Sequence, residues 1–119
     1  MSLDVYLYAT ITCEHCGKEA TQRGSLVYSS NITHNLGAMA RGAGIYECLW
    51  RPDEHGITRA SQLIEPLRAG LAAMRADAPR FEAFNAPNGW GLYKHFVPWV
   101  AAYLEACEAH PTATVEVWR

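Results

Sequence analysis

Three groups of residues in this sequence have the types and spacing to do chemistry. The most compact is Cys13-Glu14-His15-Cys16-Gly17. Two thiols across such a turn converge on one point, and the glycine permits the tight backbone path behind them. That is half of a structural zinc site, which makes zinc the candidate cofactor and Cys13 and Cys16 the candidate metal ligands. A closed zinc site takes four ligands, and no second paired motif is present. The remainder would come from His15, Cys48, Cys107, His34, His55, His95 or His110. The competing reading is a hairpin turn without metal. A redox dithiol would open a helix inside a βαβ unit, whereas this motif joins two predicted strands.

The second group is Asn31, Thr33, His34 and Asn35. In a helix beginning there, Asn31, His34 and Asn35 share one face at i, i+3 and i+4. Histidine can act as base, donor or ligand, and asparagine pairs a donor with an acceptor for an amide, a base edge or a phosphate. The plainer reading is a capped helix start with His34 satisfying a core carbonyl. Ser29 and Ser30 precede His34, but neither sits in a nucleophile elbow, so a triad hydrolase lacks its nucleophile.

The third group is Tyr46, Glu47, Trp50, Arg51, Asn85, Asn88, Trp90, Tyr93 and Lys94, amphipathic aromatics beside polar forks in irregular segments. Such sets line pockets and interfaces. Arg51 could hold an anion bidentately, and Trp50 or Trp90 could stack on a planar ring. Alternatively both tryptophans plug the core beneath the loops.

The elements that must position these groups follow from periodicity. Residues 3 to 12 are β-branched and aromatic, with Val5, Leu7, Ala9 and Ile11 on one side of a period-2 ladder. Leu26-Val27-Tyr28 predicts the second strand of an antiparallel hairpin turned at the CxxCG segment. The polar run 29 to 35 predicts a helix start, carrying Leu36, Met39 and Ala40 inward and ending near Gly42 or Gly44. A short helical or irregular segment is expected over 45 to 50, stopped by Arg51-Pro52. Leu63, Ile64, Leu67, Leu71 and Met74 mark a main core helix, with Thr58 or Ser61 as cap and Pro66 either near its start or at a kink. Another short segment starts at Ala78-Pro79. Asn85 to Gly91 is a turn-rich loop in which Pro87-Asn88-Gly89 suits a tight turn, displaying Trp90 rigidly. The last helix runs over 92 to 109 with Phe96, Trp99, Val100, Tyr103, Leu104 and Cys107 as its stripe, and a final strand over 112 to 118 pairs with the N-terminal hairpin.

The fold class is therefore α+β. A small antiparallel sheet, made of the N-terminal hairpin and the C-terminal strand, packs against two main helices and shorter helical segments in a single domain over residues 1–119. Half the residues are apolar, enough for one core without disulfide staples. Ten Lys and Arg against twelve Asp and Glu, net −2, give no sustained basic field, which disfavours nucleic acid as a partner. Asp4 interrupts the first apolar run, so neither signal peptide nor membrane span is expected, and the cytoplasm is the expected compartment.

Three strings also carry a resemblance. Asn31-Ile32-Thr33-His34-Asn35-Leu36-Gly37-Ala38-Met39-Ala40, Gly44-Ile45-Tyr46-Glu47-Cys48-Leu49-Trp50-Arg51-Pro52 and Asn88-Gly89-Trp90-Gly91-Leu92-Tyr93 together resemble a small family of uncharacterised bacteriophage and prophage proteins, over nearly the whole chain. Relatives read Asn-Pro-Pro-Asn-Gly-Trp-Gly where this chain has Ala86 at the first proline, and several lack the CxxCG turn. The resemblance carries no catalytic role. It implies work inside an infected bacterium, directed at a host defence protein or a signalling nucleotide.

The leading expectation is a binding module presenting Asn31, His34, Asn35, Trp50, Arg51, Asn88, Trp90 and Tyr93 to a small polar or nucleotide-like ligand. The alternatives are a protein-interaction module on a zinc-supported hairpin, with a host protein as partner, and an enzyme using His34 as acid or base.

Overall fold

The computed structural model describes residues 2–9 and 24–119. Strand β1 (Ser2–Tyr8) alternates as its sequence predicts: Leu3, Val5 and Leu7 are fully buried, while Asp4, Tyr6 and Tyr8 face the other way and are half-buried. It is the central strand. Strand β2 (Leu26–Thr33) pairs antiparallel on one side, from Ser2 opposite Thr33 to Leu7 opposite Tyr28, with an irregularity between Leu7 and Tyr8. Strand β3 (Thr114–Trp118) pairs antiparallel on the other, from Asp4 opposite Trp118 to Tyr8 opposite Thr114. The predicted CxxCG turn, with Cys13 and Cys16, and the far end of the first predicted strand lie outside the described residues.

A helix does start inside the stretch 29 to 35, as predicted; the correction is to the second strand, expected only over 26 to 28. Residues 29 to 33 continue β2, and the first helical turn is the 3-10 segment His34–Leu36. Polar side chains in this run favour capping when read locally. Pairing decides otherwise, because Ser30 and Ile32 lie opposite Val5 and Leu3 of the buried face. Asn31 is thereby a strand residue opposite Asp4, on the sheet face away from the core, and shares no helical face with His34 and Asn35.

Thr33 caps the 3-10 turn by accepting the Asn35 N–H at 3.3 Å. Helix α1 (Gly37–Gly42) follows with Met39 and Ala40 buried, then α2 (Tyr46–Trp50), and a 3-10 segment Pro52–His55 begins where Arg51-Pro52 ends α2. Helix α3 (Ser61–Ala76) buries Leu63, Leu67, Leu71 and Met74. Neither Thr58 nor Ser61 caps it. Instead the Gln62 carboxamide oxygen accepts from the N–H groups of Thr58 (2.8 Å) and Arg59 (2.9 Å), while its nitrogen donates to the Gly56 carbonyl (3.0 Å). Pro66 lies inside α3, and Pro98 inside α5 (Tyr93–Ala109), each in the second turn. Between them, α4 (Ala78–Glu82) buries Phe81.

Helices α3 and α5 pack against each other and cover one face of the sheet. Tyr28 of β2 stacks on Tyr103 of α5 with centroids 5.7 Å apart, and the Trp99 indole N–H donates to the Ser30 hydroxyl at 2.8 Å. The buried apolar residues form one cluster, running from Leu3, Val5 and Leu7 through Leu63 and Leu67 to Phe96, Val100 and Tyr103. Each fully buried large side chain contributes about 1.5–3 kcal/mol of transfer free energy. No helix among the described residues is long and apolar enough to cross a membrane.

Candidate functional site

Where β2 ends, the chain turns through His34 and Asn35, and two other segments converge there. From one side comes the loop before α5. Its turn closes with the Gly89 N–H donating to the Ala86 carbonyl at 3.1 Å, and Gly89 supplies the positive φ of 78°. Asn88 orients the next residue by accepting the Trp90 N–H at 3.0 Å, and Asn85 caps α5 by accepting the Tyr93 N–H at 2.7 Å. The Asn35 side-chain amide then donates to the Trp90 carbonyl at 2.9 Å. Gly91, at φ 110°, lies so close that a Cβ there would stand 3.0 Å from the Asn35 Cβ. The two segments therefore meet in space. Trp90 itself remains 70% exposed, an aromatic held outward by a pinned backbone.

From the other side comes α2. Trp50 is buried, in the role of a core plug, yet its indole N–H donates to His34 Nδ1 at 2.8 Å. A neutral imidazole that accepts at Nδ1 carries its proton on Nε2, so His34 offers a donor outward. Tyr46 stacks on Trp50 with centroids 5.1 Å apart and 15° between planes, and the Arg41 guanidinium lies over Tyr46 at 3.9 Å. Arg51 pairs with Glu54 at 2.6 Å, and its pKa is raised first by that hydrogen bond and then by one to Tyr46. Arg119, beyond β3, donates to the Trp50 carbonyl at 2.9 Å and to Asp53 at 3.0 Å, and that hydrogen bond lowers the Asp53 pKa.

His34 and Asn35 form a partition between hollows. One, of about 370 Å³, is lined by His34, Asn35, Arg41, Tyr46, Trp50, Arg51 and Arg119 together with Gly37 and Ala38. A second, of about 550 Å³, is lined by Ser2, Asn31, Ile32, Thr33, His34, Asn35 and Trp90. A third, of about 470 Å³, runs from Asn35 along Phe84 to Asn88. Of the residues singled out from sequence, Asn31, His34, Asn35 and Trp90 thus share one hollow, Trp50 and Arg51 join His34 and Asn35 in another, and Asn88 joins Asn35 in the third. Tyr93 serves the scaffold: its hydroxyl donates to the Met74 carbonyl at 2.8 Å, tying α5 to α3.

Sequence reasoning missed Arg41 and Arg119. Arg41 stands seven residues after His34, a spacing that returns to the same side of a helical path, which is a usable signal. Arg119 carries none, because only the sheet order brings it to Trp50.

Cys13 and Cys16 lie outside the described residues. Among the described residues, no group of three or more His, Cys, Asp or Glu is placed to hold a metal ion. Cys48 and Cys107 are core thiols, each pushed up to about 12 by burial, and Cys48 donates to the Ile45 carbonyl at 3.2 Å. Comparison with protein-family models, curated proteins and solved structures finds no match to this chain.

Proposed function

We propose that this chain is a binding module for a small polar, nucleotide-like ligand, received in the cleft beside His34. The observation that carries this reading is the Trp50 to His34 hydrogen bond, which fixes a buried indole on one ring nitrogen and leaves the other as a donor on a residue that lines the cleft. Groups aligned before binding lose less entropy when the ligand arrives. The resemblance to bacteriophage and prophage proteins supplies a setting, in which the ligand is a signalling nucleotide of the infected cell.

The test is a thermal-shift and native-mass screen with nucleotides and nucleosides. A ligand present at a hundred times its Kd stabilises the fold by about 2.7 kcal/mol. His34→Ala should remove that stabilisation and leave a folded protein. A screen in which no compound raises the melting temperature argues directly against the reading.

A second reading, docking to a host protein, is favoured by Trp90, which is exposed yet anchored through Asn88, Asn35 and Gly91. Rigid exposed tryptophans are frequent interface anchors. On this reading Trp90→Ala abolishes capture of the partner while ligand-induced stabilisation persists. Native mass with and without a chelator tests whether Cys13 and Cys16 hold zinc beneath such an interface. The hydrolase reading gains no support: Ser30 is engaged by Trp99, Ser29 lies opposite Tyr6 on the outer sheet face, and neither lines the His34 cleft.

A further inference from the structure

The chain carries net negative charge, yet the cleft beside His34 is lined by three arginines and, among the described residues, by no Asp or Glu side chain. The three are not equivalent. Arg51 is compensated by Glu54, and Arg119 by Asp53. Arg41 has no hydrogen-bond or ion-pair partner among the described residues, and its Cζ lies over the Tyr46 ring, 3.9 Å from the centroid. A guanidinium held over a ring without such a partner keeps N–H groups unused, and these match the oxygens of a carboxylate or phosphate bidentately. Tyr46 is in turn braced against Trp50, whose indole N–H sets the His34 ring. One aromatic stack therefore orients both an uncompensated cation and a neutral donor at the same cleft.

We propose that the cleft selects its ligand by an oxyanion, a phosphoryl or carboxylate group, bound by the Arg41 guanidinium and the Nε2–H of His34. This deepens, and rests on, the reading of the His34 cleft as the ligand site. Arg51 and Arg119, already paired, shape the positive rim. Selection then follows the charged group more than any base attached to it.

The test is titration of the isotopically labelled protein, followed by NMR, with pyrophosphate, adenosine monophosphate, succinate and adenosine at a constant ionic strength of about 0.15 M. The expected result is saturable shifts at His34 and at the Arg41 side chain with the anions and none with adenosine. Saturation by the two phosphates alone assigns a phosphoryl group, and equal saturation by succinate assigns a carboxylate. Arg41→Gln should weaken binding about tenfold or more, with the rest of the spectrum unchanged. Arg75→Gln, an exposed change on α3 away from the cleft, should leave it as it was. Arg41→Lys, keeping the charge without the planar fork, should fall between. Adenosine binding as tightly as its monophosphate, with Arg41→Gln silent, overturns the oxyanion inference and leaves the cleft reading standing. Absence of shifts at the cleft with all four probes overturns both.

Discussion

Replacing Gly91 with alanine should unseat the loop that carries Trp90. At φ 110° an alanine is in a region that L residues rarely occupy, at a cost of about 1–3 kcal/mol. Its Cβ would also stand 3.0 Å from the Asn35 Cβ, 3.3 Å from the Asn35 carbonyl carbon and 3.4 Å from the Thr33 Cγ2, and two of those three atoms cannot move without the backbone. Gly89 provides the internal standard. Its φ of 78° is also positive, but nothing lies within 4 Å of its would-be Cβ, so Gly89→Ala incurs only the left-handed backbone cost of about 1–2 kcal/mol. Gly91→Ala should exceed that by about 1 kcal/mol or more. In urea, with a slope of about 1–3 kcal/mol per molar, its midpoint should fall by roughly 1 M. The Asn35 side-chain amide resonances should shift as the bond to the Trp90 carbonyl is lost. Equal effects of the two substitutions, with Asn35 unmoved, would refute the seating of this loop on Asn35.

Three further outcomes follow from the core. Gly70→Ala places a Cβ 2.4 Å from the Ile45 Cγ2, so overpacking of about 1–3 kcal/mol outweighs a helix-propensity gain of about 1 kcal/mol. A net loss near 1 kcal/mol is expected by denaturant unfolding, and a gain would mean that Ile45 does not touch α3. Tyr103 buries a hydroxyl with no hydrogen-bond partner among the described residues, so Tyr103→Phe should raise stability by about 1 kcal/mol. A loss in calorimetry would show that the hydroxyl is satisfied. Burial raises the Cys48 and Cys107 thiols from 9.0 to about 12, first of all by desolvation. Because the folded values lie above the unfolded ones, this stabilisation is complete below about pH 9 and is lost as pH rises toward 12. Urea midpoints should decline across that interval, and peptide mapping after iodoacetamide at neutral pH should find both residues unmodified in the native protein.

Much of the scaffold was legible because its signals are periodic. The alternation of Leu3, Val5 and Leu7, the stripe on α3 and the Pro87-Asn88-Gly89 turn each encode their conformation within a short window. Residues 29 to 33 do not. Their serines and asparagine favour caps locally, and only the facing residues of β1 hold them extended. The site was partly legible for the same reason. Asn35 and Trp90 could be picked by type, but their contact spans 55 positions. Trp50 shows how one residue can answer to both readings, with its ring in the core and its N–H on His34. Arg119 was invisible, since its place depends on β3 lying beside β1.

The strand order β2-β1-β3 also bears on how the chain is made. During synthesis β1 emerges long before its second neighbour, which follows more than a hundred residues later. Until then one edge of the central strand offers open backbone groups, and its leucines and valine await α3 and α5. An uncapped strand with an apolar face is the kind of surface to which nascent chains stick and which holding chaperones bind. The folding step that hides it must be long-range, so the protein's yield in a cell is set by how well that interval is protected, as much as by the stability it finally attains.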